Sequence, residues 1–412
     1  MPVPARVGGF GLREETAEFH APPNHEETEM RRTPEAFVFA SLIPLCAGAA
    51  MGVPSFTPLP FEPGENFSLV TSVSDDGRFI GGHSSGPTAT GFTPIIWDGL
   101  TRNPLSLPTG FEAGGAYINA ISGDGGSAVA IGLGPDGFRG IRWDSAGTPH
   151  VLSTAPGTFS SFNAINFDGS VAGGFVNQTF FGPVSDGLVW TSAGGEQNIG
   201  NIPGFQGEAS ITGVCNDGSV FVGFATQNHR VPVTWTQSGG FEVLPGVPMA
   251  PPGPHIGMAI DVSADGTTIV GALEISGRNV PTFWDSTRSP TLIELFPGYQ
   301  VGEAIAATND GSVVVGHWRE TPTSDELGSL AFIWDADNGA RPLGDVLVSE
   351  YGLDLQGWTL NVVNDITPDG LTMVGSGLNP MGELQAFRVV IPAPGTLGAL
   401  AISGLLLARR RR

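Results

Sequence analysis

An Asp-Gly pair led by a short polar residue recurs seven times in this chain: Ser74-Asp75-Asp76-Gly77, Ser122-Gly123-Asp124-Gly125, Asn166-Phe167-Asp168-Gly169, Cys215-Asn216-Asp217-Gly218, Ser263-Ala264-Asp265-Gly266, Thr308-Asn309-Asp310-Gly311 and Thr367-Pro368-Asp369-Gly370. Successive Asp positions differ by 48, 44, 49, 48, 45 and 59 residues, the period of one four-stranded propeller blade. Asp-Gly suits a hairpin turn because Asp tolerates the turn conformation and Gly supplies positive φ, while the preceding Ser, Thr or Asn caps the loop.

Each unit carries four strand signals. An apolar segment such as Tyr117-Ile118-Asn119-Ala120-Ile121 precedes the turn, and a β-branched run closed by glycine, such as Val313-Val314-Val315-Gly316, follows it. A third strand ends at Trp97, Trp143, Trp190, Trp235, Trp284 and Trp334, with Val389 in that slot of the seventh unit. A fourth ends in a Leu-Pro or Pro-Gly corner. One such unit cannot cover its own apolar faces, but units stacked in a ring can, with the Trp wedged between sheets. The seventh unit stops after its third strand at Ile391, and Phe56-Thr57-Pro58-Leu59-Pro60-Phe61 is an orphan fourth strand. The expectation is an all-β, seven-bladed β-propeller over 53–391, built of four-stranded repeats of about 45–50 residues, with the N-terminal strand closing the last blade and removing the exposed sheet edge.

Composition agrees with a turn-rich β protein: Gly 61 and Pro 34 in 412 residues, with only 14% charged side chains. The net charge of −22 argues against a nucleic-acid partner, which needs a basic face. All 18 basic residues are Arg, and without Lys neither Schiff-base chemistry nor a P-loop is available.

Both ends read as addresses. Residues 1–29 are expected to lie upstream of the true start, and 30–50 has the pattern of a signal peptide, with Met30-Arg31-Arg32, an apolar stretch and Ala47-Gly48-Ala49. Residues 392–412 combine Pro392-Ala393-Pro394, an uncharged stretch from Thr396 to Ala408 and the cluster Arg409, Arg410, Arg411 and Arg412; the apolar part is short of the roughly 20 residues that span a bilayer. This tail resembles the PEP-CTERM sorting signals of Gram-negative bacteria, with Ala393 in the place of that family's Glu. The units themselves, through the Ile-Ser-x-Asp-Gly core, the Val-Val-Gly strand and phrases such as Ala331-Phe332-Ile333-Trp334, resemble HAF-type extracellular repeats, and Gly352 to Leu360 is similar to that family's closing element. The resemblance implies export, processing by a signal peptidase and an exosortase-type enzyme, transient membrane association of the tail, and a place at the cell surface or outside the cell.

The catalytic inventory is thin. There is no HExxH or CxxC motif. Cys215 fills the slot of Ser and Thr in the other units and reads as a buried filler, and His83 and His317, which share a unit position, read as solvent-facing loop residues. The seven turn Asp residues are turn formers; calcium in one or two of those loops is the alternative, and no other cofactor is expected. Four positions before each turn Asp the units carry Ser72, Ala120, Ala164, Gly213, Asp261, Ala306 and Asp365. Small residues suit a crowded axis, so Asp261 and Asp365 stand out as candidate catalytic carboxylates, and Glu65, Glu112, Glu208 and Glu303, ahead of innermost strands, as candidate ligand-binding residues on a channel rim. The expected function is a structural or binding propeller of the cell surface or extracellular matrix, linked to exopolysaccharide or biofilm and to polysaccharide or surface-protein partners, and not an enzyme. The alternatives are a polysaccharide-active hydrolase or lyase with channel carboxylates, and a calcium-dependent adhesion module.

Overall fold

The computed structural model describes residues 53–60, 62–85, 91–152, 158–177, 184–247 and 256–392. The signal-like segment and the sorting residues Ala393, Pro394 and Arg409 to Arg412 lie outside them; Pro392 lies just inside.

The fold is all-β and propeller-like, a succession of four-stranded antiparallel sheets. The second unit is typical: strands Ala116–Ile121, Ala128–Gly134, Gly137–Trp143 and Pro149–Val151 pair in chain order. Four further units repeat this as separate sheets, while the first and seventh share one eight-stranded sheet through a parallel bridge, Phe67 to Leu384. The fourth strand of the seventh unit comes from the other end of the described chain: Ser55–Pro58 pairs with Leu384–Val390 in the register Ser55↔Val390 to Pro58↔Phe387. The orphan strand therefore pairs where the sequence places it.

The hairpin turns are built alike in all seven units. In the first, Ser74 Oγ donates to Asp76 Oδ1 at 2.7 Å and accepts the Phe79 N–H at 2.9 Å, and Asp76 Oδ1 accepts the Arg78 N–H. The same bonds recur around Asp124, Asp168, Asp217, Asp265, Asp310 and Asp369. The glycine after each Asp has φ between 65° and 76°, a region that costs a side-chain-bearing residue energy. These Asp residues are occupied by the turn.

The apolar clusters lie between sheets. Trp143 is buried and its Nε1–H donates to the Ser106 carbonyl of the preceding unit at 2.7 Å; Trp284 does the same to Pro245. Each indole thus contributes apolar area and a satisfied donor to a junction between units. The longer sixth interval accommodates a feature absent from the sequence reading, the helix Leu343–Ser349, which buries Leu343, Val346 and Leu347 against the last two units.

The seven first strands, Phe67–Val73, Ala116–Ile121, Phe159–Ile165, Ala209–Val214, Gly257–Val262, Val301–Ala307 and Thr359–Ile366, contact one another in succession, and the last contacts the first. Each carries a β-bulge five residues before its turn Asp, at Thr71, Asn119, Asn163, Thr212, Ile260, Ile305 and Asn364. A bulge turns one extra side chain off the ladder and sharpens the local twist.

Candidate functional site

First strands from all seven units line one cavity of about 410 Å³. The bulge residues knit its wall. Asn119 Nδ2 donates to the Phe162 carbonyl at 2.7 Å, Asn163 Nδ2 to Ile211 at 2.8 Å, Thr212 Oγ1 to Ala259 at 3.0 Å and Asn364 Nδ2 to Val70 at 2.6 Å. Every acceptor is the residue just before the next unit's bulge. Ile260 and Ile305 cannot make this bond, so the wall of the fifth and sixth units is apolar at that level.

Asp261 and Asp365 both line the cavity. They stand in the slot that Ser72, Ala120, Ala164, Gly213 and Ala306 fill elsewhere, so the break in the small-residue pattern does mark the axis. Asp365 Oδ2 accepts the Val73 N–H at 2.8 Å and Oδ1 accepts the Ile366 N–H at 2.7 Å. Ser72 occupies the equivalent place one unit on and accepts the Ile121 N–H at 2.9 Å. Asp261 lies instead against Gly213 of the preceding unit, where a Cβ would sit 2.7 Å from its Oδ1 and 2.9 Å from its Cα. The glycine makes room for the carboxyl group.

Both carboxyl groups keep some accessible surface, yet protein surrounds them on all sides, and surface facing a narrow cavity hydrates a charge poorly. Burial therefore pushes Asp261 up to about 7. It pushes Asp365 well above the ordinary carboxylate range, with the charge of Asp261 adding to the effect. Loss of hydration outweighs the N–H bonds that favour the ionised form. Two carboxyl groups of raised pKa, the charge of one adding to the shift of the other, thus share one cavity.

Three further ionisable groups on the wall had no distinct sequence signal. Asp75, beside a turn Asp, receives the Asn216 Nδ2–H at 2.6 Å, a bond from the fourth unit to the first at the hairpin-turn end of the cavity. Burial raises its pKa against that bond, and the charges of Asp76, Asp369 and Asp124 add to the rise. Glu326 reaches the wall from a short 3-10 turn, Glu326–Gly328, and burial followed by the charge of Asp325 raises its pKa. His83 corrects an expectation: it is buried in the strand Phe79–Ser85, lines the cavity, and desolvation lowers its pKa to about 4. His317 is likewise a strand residue, beside Glu303 and Arg319, with its pKa also lowered to about 4.

The four glutamates expected on the rim are not among the cavity-lining residues. Glu65 pairs with Arg102, Glu208 with Arg230 and Glu303 with Arg319, and Glu112 accepts the Gly110 N–H. An arginine within reach neutralised three of them, which charge counting along the chain does not reveal. Cys215 is buried, donates its S–H to Asp217 and has a raised pKa from burial and that bond; it is no activated nucleophile. Among the described residues no three His, Cys, Asp or Glu side chains gather as metal ligands.

The fold decides what the chain resembles. Over 83% of its length it superposes on 98% of an oligogalacturonate lyase from Vibrio parahaemolyticus, with a TM-score of 0.52 and 10% identity. An oligogalacturonate lyase in complex with manganese matches over 83% of this chain and 99% of its own, with a TM-score of 0.51 and 13% identity. A puromycin-hydrolyzing peptidase of Mycobacterium tuberculosis matches over 78% of this chain and 50% of its own, with a TM-score of 0.51 and 14% identity. At such identities the likeness is one of fold. No family model matches the chain, and no curated protein matches it. These findings overturn two expectations. The chain was expected not to be an enzyme, and to be a secreted PEP-CTERM structural protein of biofilms; its architecture is instead one on which lyases and peptidases are built, and two carboxyl groups of perturbed acidity share its cavity.

Proposed function

We propose that the chain is a closed seven-bladed propeller that cleaves glycosidic bonds in its central cavity, with Asp365 as proton donor and Asp261 as base. Ring closure is supported by the pairing of Ser55–Pro58 with the seventh unit and by the succession of first-strand contacts from the last unit back to the first. The observation that carries the chemistry is the Asp261 and Asp365 pair, two carboxyl groups lining one cavity, both raised in pKa by burial, with the charge of Asp261 adding to the rise at Asp365. Asp365 passes its proton to the leaving oxygen as the C–O bond breaks, and ionised Asp261 takes a proton from the water that adds to the anomeric carbon, so one water is consumed per bond.

The lyase likeness supports the glycan class, and the wall chemistry favours hydrolysis over elimination. A uronate there would face Asp75, Asp261 and Asp365, and no Arg lines the cavity among the described residues.

The test is the release of new reducing ends from a panel of neutral, amino and acidic glycans, with ultraviolet absorbance reporting any unsaturated product. Asp365→Asn and Asp261→Asn are expected to lower turnover about a hundredfold or more. Full turnover in both variants rules out the assignment, and an unsaturated product rules out hydrolysis.

A further inference from the structure

The polar groups of the cavity wall are sorted by type. Its amide donors are turned into the protein: Asn119 Nδ2 is held by Phe162 and Ser161, Asn163 Nδ2 by Ile211 and Ser210, and Asn364 Nδ2 by Val70. Asn216 Nδ2 is held by Asp75, and the hydroxyls of Thr71 and Thr212 donate to the carbonyls of Gly81 and Ala259. What lines the cavity is therefore a set of carboxyl groups, those of Asp75, Asp261, Asp365 and Glu326, with no arginine among the described lining residues.

A second observation points to a ligand independently of the acids. His83 is 7% exposed, lines the same cavity, and its Nδ1 has no hydrogen-bond partner. A buried imidazole nitrogen without a partner is costly. Its ring is held edge-on by Phe92 and Tyr117, at centroid distances of 5.6 and 5.1 Å, and those two rings pack against each other, tilted by 33°, with centroids 3.9 Å apart.

We propose that the cavity recognises a cationic donor, and that its substrate is a glycan of amino sugars bearing free amines. The sugar class rests on the glycosidase reading above. An ammonium group brings three donors and a positive charge to a wall that offers acceptors and no positive charge. It offsets the hydration that Asp261 and Asp365 lack, and N-acetylation removes that charge while leaving the ring unchanged. The acidic disc as a whole, at a net charge of −22 for the chain, draws such a polymer in and repels an acidic one.

The experiment is calorimetric titration of the full chain with an oligomer of glucosamine and with its fully N-acetylated counterpart of equal length, at low and high salt, for the native protein and for Asp261→Asn. The amine form is expected to bind about tenfold or more tightly at low salt, with the gap narrowing at high salt and in the variant. Equal affinity for the two oligomers overturns the proposal, even where either is cleaved and the glycosidase reading stands. A linear polyamine bound as tightly as the amine oligomer overturns the amino-sugar assignment. Preferential binding of the amine oligomer, cleaved equally by native and variant protein, upholds the proposal while removing Asp261 from the chemistry.

Discussion

The backbone N–H of Val73 donates to Asp365 Oδ2 at 2.8 Å, although the two residues are 292 positions apart in the chain. Asn364 repeats the junction one residue earlier by donating to the Val70 carbonyl at 2.6 Å. A carboxyl group with raised pKa is thus anchored by the seam between the last and first units, and its burial there outweighs the seam's N–H bond in setting its acidity.

Stability is expected to fall as pH rises from about 4 to 7. A carboxyl group with raised folded pKa binds its proton more tightly folded than unfolded, so its contribution is complete below the unfolded value of 3.8 and is lost as pH climbs through the folded value, about 7 for Asp261. Asp365, its pKa also raised by burial, adds to the decline. Thermal melts across this range check it: Asp261→Asn and Asp365→Asn flatten the slope and raise the melting temperature at neutral pH. A native melting temperature constant over that window contradicts the account.

Gly213→Ala is expected to destabilise the fold by about 1–3 kcal/mol and to disturb Asp261 in particular. The new Cβ meets the Asp261 Cα at 2.9 Å as well as its carboxylate at 2.7 Å, and backbone cannot rotate away as a side-chain tip can. Chemical denaturation reads the loss. Ala at the matching position of other units, Ala120 or Ala164, shows that the slot itself accepts a methyl group where no carboxyl faces it.

Asn216→Ala removes the 2.6 Å bond to Asp75 across the turn end of the cavity. The change is expected to cost about 1–3 kcal/mol, since it leaves a half-buried carboxyl group without that donor, and to raise the Asp75 pKa further. Carbon-detected NMR titration of the Asp75 carboxyl follows the second effect, and an unchanged titration midpoint refutes it.

Cys215→Ser is expected to keep stability within about 1 kcal/mol, because Ser fills the same position at Ser74, Ser122 and Ser263 with the same two bonds. In the native protein the thiol, buried with a raised pKa, reacts with a thiol reagent only after unfolding. Rapid labelling of the folded chain indicates otherwise.

Much of the fold is local chemistry repeated, and repetition makes it legible. The Asp-Gly turn led by a short polar residue contains its own donors, acceptors and positive-φ glycine, so seven copies announce seven hairpins and their spacing announces four strands per unit. The split of the last unit between Ser55–Pro58 and Leu384–Val390 followed from counting strands. Asp261 and Asp365 could be found as departures from a small-residue column because the column is itself a consequence of the repeat.

The site's chemistry was decided elsewhere. That Glu65 faces Arg102 and Glu303 faces Arg319 depends on neighbouring strands, and a charge paired in space looks like any other in the chain. His83 became a buried wall residue through Phe92 and Tyr117, the second of which belongs to the next unit. Bulges, which turn Asn119, Asn163 and Asn364 toward the following unit, have no compositional mark. The raised pKa values come from desolvation, a property of everything within several ångströms of a carboxyl group. Period and turn chemistry determined the architecture because each unit folds by contacts inside itself; acidity and cavity lining were left to the tertiary structure because they arise where units meet.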